Sequence, residues 1–146
     1  IVTQHKWMEA NKGKLTNRFP RLESIIYRLL QLNTKGFAIA AFEELIVLLL
    51  VTAYVLVGGP GAAEIWSATF MAFSIHLLIH VAQAVAVRGY IPGLVTTLLT
   101  LPYAYLGMQS ICRAYSLYEL VIYAFLGTVI MLLNLNFAHV LGGKFK

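Results

Sequence analysis

The stretch FMAFSIHLLIHVAQA, Phe70 to Ala84, places His76 and His80 inside an apolar run that is typical of a membrane-spanning helix. Crossing the hydrocarbon core of a bilayer takes about 20 predominantly apolar residues. Because the histidines are four residues apart, a helix places both imidazoles on one face, one turn from each other. The two histidines are therefore candidates for a ligand pair, a proton site or a polar contact between helices.

The composition of the whole chain is typical of an integral membrane protein. Of its 146 residues, 60% are hydrophobic and only 12% are charged, whereas a soluble domain carries about 25% charged residues. The net charge of +5 fits basic residues beside anionic headgroups, so no nucleic acid partner is expected. Because Cys112 is the only cysteine, an internal disulfide and a CxxC metal site are excluded.

Four apolar stretches predict an all-α fold, a polytopic transmembrane helical bundle with four full spans in one membrane-embedded domain, 1–146. The spans are predicted at about 36–57, 64–87, 91–108 and 117–141. The GGPG motif at 58–61 ends the first span, and Pro92 suits the first turn of the third, which we expect to bend near Pro102. Residues 1–35 form a cytoplasmic or interfacial segment.

That N-terminal segment predicts two further helical pieces. In FPRLESIIYRLLQLNTKG, from Phe19, the apolar residues share one face and Pro20 is placed to start a helix, so we expect an amphipathic helix in the headgroup plane. Upstream, IVTQHKWMEANKGK is interpreted as the tail of a cropped or partial first helix.

The distribution of lysine and arginine predicts the orientation of the chain in the membrane. The GGPGAAE connection has no basic residue, whereas the segment before the first span carries seven: Lys6, Lys12, Lys14, Arg18, Arg21, Arg28 and Lys35. Arg88 follows the second span, and Lys144 and Lys146 follow the fourth. The basic N-terminal segment and the C-terminus are therefore expected on the cytoplasmic side.

This topology places histidines and glutamates at one depth, near the predicted cytoplasmic side. Glu43 and Glu44 lie about two turns into the first span, and His80 lies at a similar depth in the second, with His76 about one turn deeper. His139 is about one turn from the cytoplasmic end of the fourth span. An ionisable group inside the membrane costs several kcal/mol unless it is paired, so the shared depth predicts a common site.

Carboxylates and imidazoles together are the ligands of a Zn, Fe or Mn site. The expected metal ligands, with Zn²⁺ as the leading ion, are His5, Glu9, His76, His80 and His139. If the site is catalytic, a free glutamate acts as general base on a metal-activated water, and the sequence favours Glu43 and Glu44 equally.

Further polar residues at helical spacing are expected to line a cavity for a hydrophobic or amphipathic small molecule. They are Thr69, Gln83, Thr96, Thr100 and Tyr103. The alternative for each of them is a hydrogen bond between helices. Asn134 and Asn136 point in different directions on the fourth span, and the sequence leaves both open.

The blocks HKWMEA, from His5, and HLLIHVAQAVAVRGYIPGLVTTLLTLPY, from His76, resemble the HXXEE family of bacterial membrane proteins. The naming motif maps His5 onto its histidine and Glu9 onto its second glutamate, while Met8 stands at the first glutamate position. The resemblance implies a shared intramembrane His/Glu site in a bacterial inner (plasma) membrane. It implies no established activity.

Three functions are compatible with this pattern. The first is a metal-dependent intramembrane hydrolase or related lipid-modifying enzyme, acting on a lipid-like substrate that enters from the cytoplasmic leaflet. The second is a metal-free, proton-coupled transporter or binding protein, in which glutamate and histidine carry protons. The third is an accessory or resistance protein that packs against partners.

Overall fold

The computed structural model describes residues 4–23 and 34–144, and this part of the chain is all-helical. Its five helices are α1 (Gln4–Arg18), α2 (Thr34–Leu56), α3 (Ala62–Val87), α4 (Leu94–Ala114) and α5 (Leu117–Gly143). A short 3-10 turn, Pro20–Leu22, follows α1 and begins at the predicted proline. The helical-bundle prediction is confirmed, while most of the predicted amphipathic helix, 24–33, lies outside the described residues.

Three of these helices are long and apolar enough to cross a membrane, which is typical of an integral membrane protein. They contain the stretches Ala38–Leu56, Ala62–Val87 and Leu117–Gly143. The other predicted span, α4, has 21 residues but is not among the three. Its threonines, with Gln109 and Arg113, make it more polar than the others, so its crossing of the membrane stays a prediction.

The turn between α3 and α4 differs slightly from the sequence prediction. Pro92 was expected in the first turn of the helix, but α4 begins two residues later, at Leu94. Gly93 precedes it with φ of +89°, a left-handed conformation that glycine adopts without strain. The Leu94 N–H donates to the Ile91 carbonyl at 3.2 Å, which closes the turn across Pro92. At Pro102, α4 continues without interruption.

Helix α5 packs against both α2 and α3, and α3 also packs against α2 and α4. One close approach between α5 and α3 is at Gly127 of α5, where an added Cβ would lie 2.9 Å from the Ala68 carbonyl carbon on α3. Small residues allow such backbone contacts between membrane helices, where packing replaces the hydrophobic effect as the driving force. Gly127 therefore fixes the α3–α5 crossing.

The first apolar cluster attaches α1 to the C-terminal end of α3. Met8 and Leu15 of α1 are buried against Ala84 and Val87 of α3 and against Ile91 in the following turn. We refer to this end of the helices as the α1 end. Because α2 and α3 are joined by a short turn at the opposite end, the first half of α2 also lies at the α1 end.

The second apolar cluster joins three helices at the opposite end. Phe70 and Met71 of α3 pack against Ile111 of α4, and Leu120 of α5 packs on the same group. Helix α4 therefore runs from the α1 end to the opposite end, and α5 returns to the α1 end. His139, near the C-terminus of α5, consequently lies at the α1 end as well.

Candidate intramembrane site

The two histidines of α3 contact each other directly. His76 Nε2 and His80 Nε2 are 3.1 Å apart, which is a hydrogen-bond distance. The ring centroids are 4.6 Å apart and the ring planes are perpendicular. Because a neutral imidazole has one N–H donor and one acceptor nitrogen, the contact needs Nε2–H on one ring and an unprotonated Nε2 on the other.

The α3–α4 turn lies beside this histidine pair. A Cβ added to Gly93 would be 3.7 Å from His80 Cε1, so the imidazole lies next to the position that a side chain at residue 93 would occupy. His80 Nδ1 is buried, and the described residues provide no hydrogen-bond partner for it. Both imidazoles are themselves half-buried. The pair therefore combines one internal hydrogen bond with one buried ring nitrogen that has no hydrogen-bond partner within the described chain.

A second polar group joins α2 to α5. The Asn134 side chain of α5 lies beside the Glu44 carboxyl of α2, and His139 lies close enough to Glu44 to interact electrostatically. Glu43 Oε2 and Glu44 Oε1 are buried and have no hydrogen-bond partner within the described chain. His139 Nδ1 lies 2.7 Å from the Leu135 carbonyl oxygen. As a donor to that oxygen, Nδ1 carries the proton, which leaves Nε2 as an acceptor.

The structure thus contains two polar groups, and both lie toward the α1 end of the helices. We call His76 with His80 the histidine pair, and Glu43, Glu44, Asn134 and His139 the glutamate group. Across residues 4–23 and 34–144, no three histidine, cysteine or acidic side chains come together as a group that could hold a metal ion. Glu9 is exposed on α1, and the side chain of His5 lies outside the described residues. The predicted metal site stays a prediction.

The predicted cavity-lining residues lie on α3 and α4. The hydroxyls of Thr69, Thr96 and Thr100 donate to carbonyls of their own chain segment, at 2.8, 2.8 and 2.7 Å. Such local bonds satisfy a threonine without any ligand. Tyr103 is exposed and packs edge-on against Phe70, with the ring centroids 5.5 Å apart.

The last of these residues, Gln83, is exposed on α3. Gln83 therefore lies on the outer surface of the helices, whereas His80, about one turn before it, is half-buried. A role of these five residues in binding a small molecule stays a prediction.

Asn134 is the residue of the glutamate group that the sequence left open. A stripe of small buried residues on α5, Gly127, Ala138 and Gly142, marks the face that packs against the other helices. Asn134 is seven residues after Gly127 and four before Ala138, so it belongs to this stripe, whereas Asn136 is exposed. The spacing of small residues is therefore the signal that distinguishes the two asparagines.

The comparisons with known proteins agree with the sequence blocks around His5 and His76. No curated protein and no solved structure matches the chain. A family model described as a protein of unknown function with HXXEE motif matches residues 1–106, which include α1 to α3 and most of α4. The chain belongs to the HXXEE family.

Proposed function

We propose that this chain is a polytopic membrane protein whose intramembrane histidines and glutamates exchange protons as a small amphipathic molecule binds or crosses the bilayer. The observation that carries the proposal is the 3.1 Å contact between the Nε2 atoms of His76 and His80. One neutral imidazole can donate to the other, so this contact needs no metal ion. Protonation of the second ring removes the acceptor and breaks the contact, so the pair responds to proton supply.

The glutamate group supports the same function. A buried carboxyl oxygen without a partner is costly, and the carboxyl can reduce that cost by taking up a proton. Glu43 and Glu44 each have such an oxygen. Asn134 and His139 of α5 lie close to Glu44. The proposed proton carriers are therefore one carboxyl of this pair and the imidazoles, all toward the α1 end.

The arrangement of the helices supports four spans for this protein. Helix α4 starts in the turn beside the C-terminal end of α3, and its Ile111 packs near the start of α3 against Phe70 and Met71. If α3 crosses the bilayer, α4 therefore covers the same depth in the opposite direction. The basic residues concentrated at the α1 end favour a cytoplasmic location for that end, in a bacterial inner membrane.

Proton binding at these residues can be measured without knowing the transported molecule. Proteoliposomes on a solid-supported membrane are given a step in pH, and the transient current reports charge that moves within the membrane. We expect a current from the native protein that is at least halved by Glu44→Gln. Glu64→Gln is the matched control, because Glu64 is exposed in the first turn of α3. Equal currents from native and Glu44→Gln protein would contradict the proposal.

A metal-dependent function is the second candidate, and one distance favours it. Two nitrogens bound to one tetrahedral Zn²⁺ at about 2.0–2.1 Å are separated by about 3.3 Å, close to the 3.1 Å between His76 Nε2 and His80 Nε2. In this proposal a further ligand, such as His5, completes the site, and Glu43 or Glu44 acts as general base in hydrolysis of a lipid-like substrate.

Elemental analysis separates the two candidates. The protein is purified without a histidine tag from cells grown with added zinc, beside a His76→Ala/His80→Ala variant. The proton-exchange function predicts the same low metal content in both samples. About one Zn, Fe or Mn per chain in the native protein, lost in the variant, would instead establish the metal site.

A further inference from the structure

We propose that α1 is a docking surface for anionic phospholipid headgroups at the α1 end of the protein. The 15 described residues of this helix carry five charged side chains, which makes this stretch too polar to lie in the hydrocarbon core. Its buried residues Met8 and Leu15 attach it to Ala84 and Val87, the last turn of a candidate membrane span. This attachment holds α1 at the boundary between hydrocarbon and headgroups.

Lys12 lies on the face of α1 that packs on α3, four residues after Met8, whereas Lys14 and Arg18 lie beside that face. Helical spacing places Lys14 and Arg18 on one stripe with Trp7, seven and eleven residues after it. Lys14 and Arg18 are exposed, and Trp7 is half-buried beside the Met8–Leu15 contact. A tryptophan and two cations on one stripe are typical of a helix face that lies in the headgroup region.

Neighbouring segments extend the same positive surface. Arg21 follows in the 3-10 turn, and Arg88 caps the C-terminus of α3 directly after Val87. Both side chains are exposed. Basic residues close to an anionic bilayer are attracted to its headgroups, and salt screens the attraction. The four cations therefore favour phosphatidylglycerol over phosphatidylcholine in the lipid shell next to α1.

The two tryptophans allow this preference to be measured at α1 alone. The chain has only Trp7 and Trp66, and Trp66 lies in the second turn of α3, at the opposite end. A Trp66→Phe protein reports from Trp7, and a Trp7→Phe protein reports from Trp66. Each is reconstituted in mixed phosphatidylglycerol–phosphatidylcholine vesicles in which one or the other lipid carries brominated chains that quench tryptophan fluorescence.

We expect brominated phosphatidylglycerol to quench Trp7 at least twofold more than the same fraction of brominated phosphatidylcholine. The difference should disappear in high salt and in a Lys14→Gln/Arg18→Gln variant, whereas Trp66 should show no preference. Circular dichroism of each protein checks that the helices are intact, and Arg88→Gln supplies a second charge variant outside α1. Equal quenching of Trp7 by the two lipids, or a preference that survives both charge variants, would overturn the proposal.

Discussion

The placement of Asn134 beside Glu44 predicts an energetic coupling between α5 and α2. Hydrogen bonds between membrane helices contribute about 0.6 kcal/mol on average and about 1.7 kcal/mol at most. The Asn134–Glu44 interaction should lie near the upper value, because Glu44 Oε1 is buried without a hydrogen-bond partner in the described chain. Removing the Asn134 amide leaves the carboxyl without that polar neighbour. We therefore expect a coupling free energy of about 1–1.7 kcal/mol.

A double-mutant cycle with Asn134→Ala and Glu44→Ala measures this coupling. The free energy of unfolding is obtained from SDS titrations in mixed micelles, followed by far-UV circular dichroism. Asn136→Ala, combined with the same Glu44→Ala change, is the control, because Asn136 is exposed on the same helix. Independent sites are additive to within about 0.3–0.5 kcal/mol. A coupling for Asn134 inside that margin would refute the arrangement of the glutamate group.

Two further predictions use the same unfolding assay. Gly127→Ala should destabilise the protein by about 1–3 kcal/mol, because the new methyl group overlaps the backbone of Ala68 on α3. The control Gly143→Ala, which has nothing within 4 Å, should be neutral or slightly stabilising, and equal effects of the two would contradict the close crossing. Ser116→Ala should cost about 1 kcal/mol because Ser116 forms a capping box with Glu119. Glu119→Gln retains an acceptor for the Ser116 N–H and should cost less; a larger loss than with Ser116→Ala would contradict this account of the cap.

The helices could be predicted from the sequence because their signals are local. Long apolar runs separated by GGPG and RGYIPG predict where helices start and stop to within a few residues. The packing of α1 on α3 was not predictable. Its contacts join Met8 and Leu15 to Ala84 and Val87, which are far apart in the sequence, and nothing in α1 itself identifies that partner.

The candidate site shows the same division between local and long-range information. The spacing of His76 and His80 predicts that both lie on one face of a helix, and the structure places them in direct contact. Position along each helix also gives the depth of Glu44 and His139. Depth does not show which helices are neighbours. The structure packs α5 against α2, and this packing brings Asn134 beside Glu44 in a group separate from the histidine pair.

The central claim is that His76 and His80 share one proton through their Nε2 atoms without a metal ion. Histidine-selective ¹⁵N NMR of the tag-free protein tests it directly, with His76→Gln used to assign the signals. The account predicts one protonated and one unprotonated Nε2 at neutral pH, joined by a scalar coupling across the hydrogen bond. That coupling should vanish on acidification, when both rings become protonated. Two Nε2 signals at metal-bound shifts, with no coupling and a return to free shifts after chelation, would contradict the account.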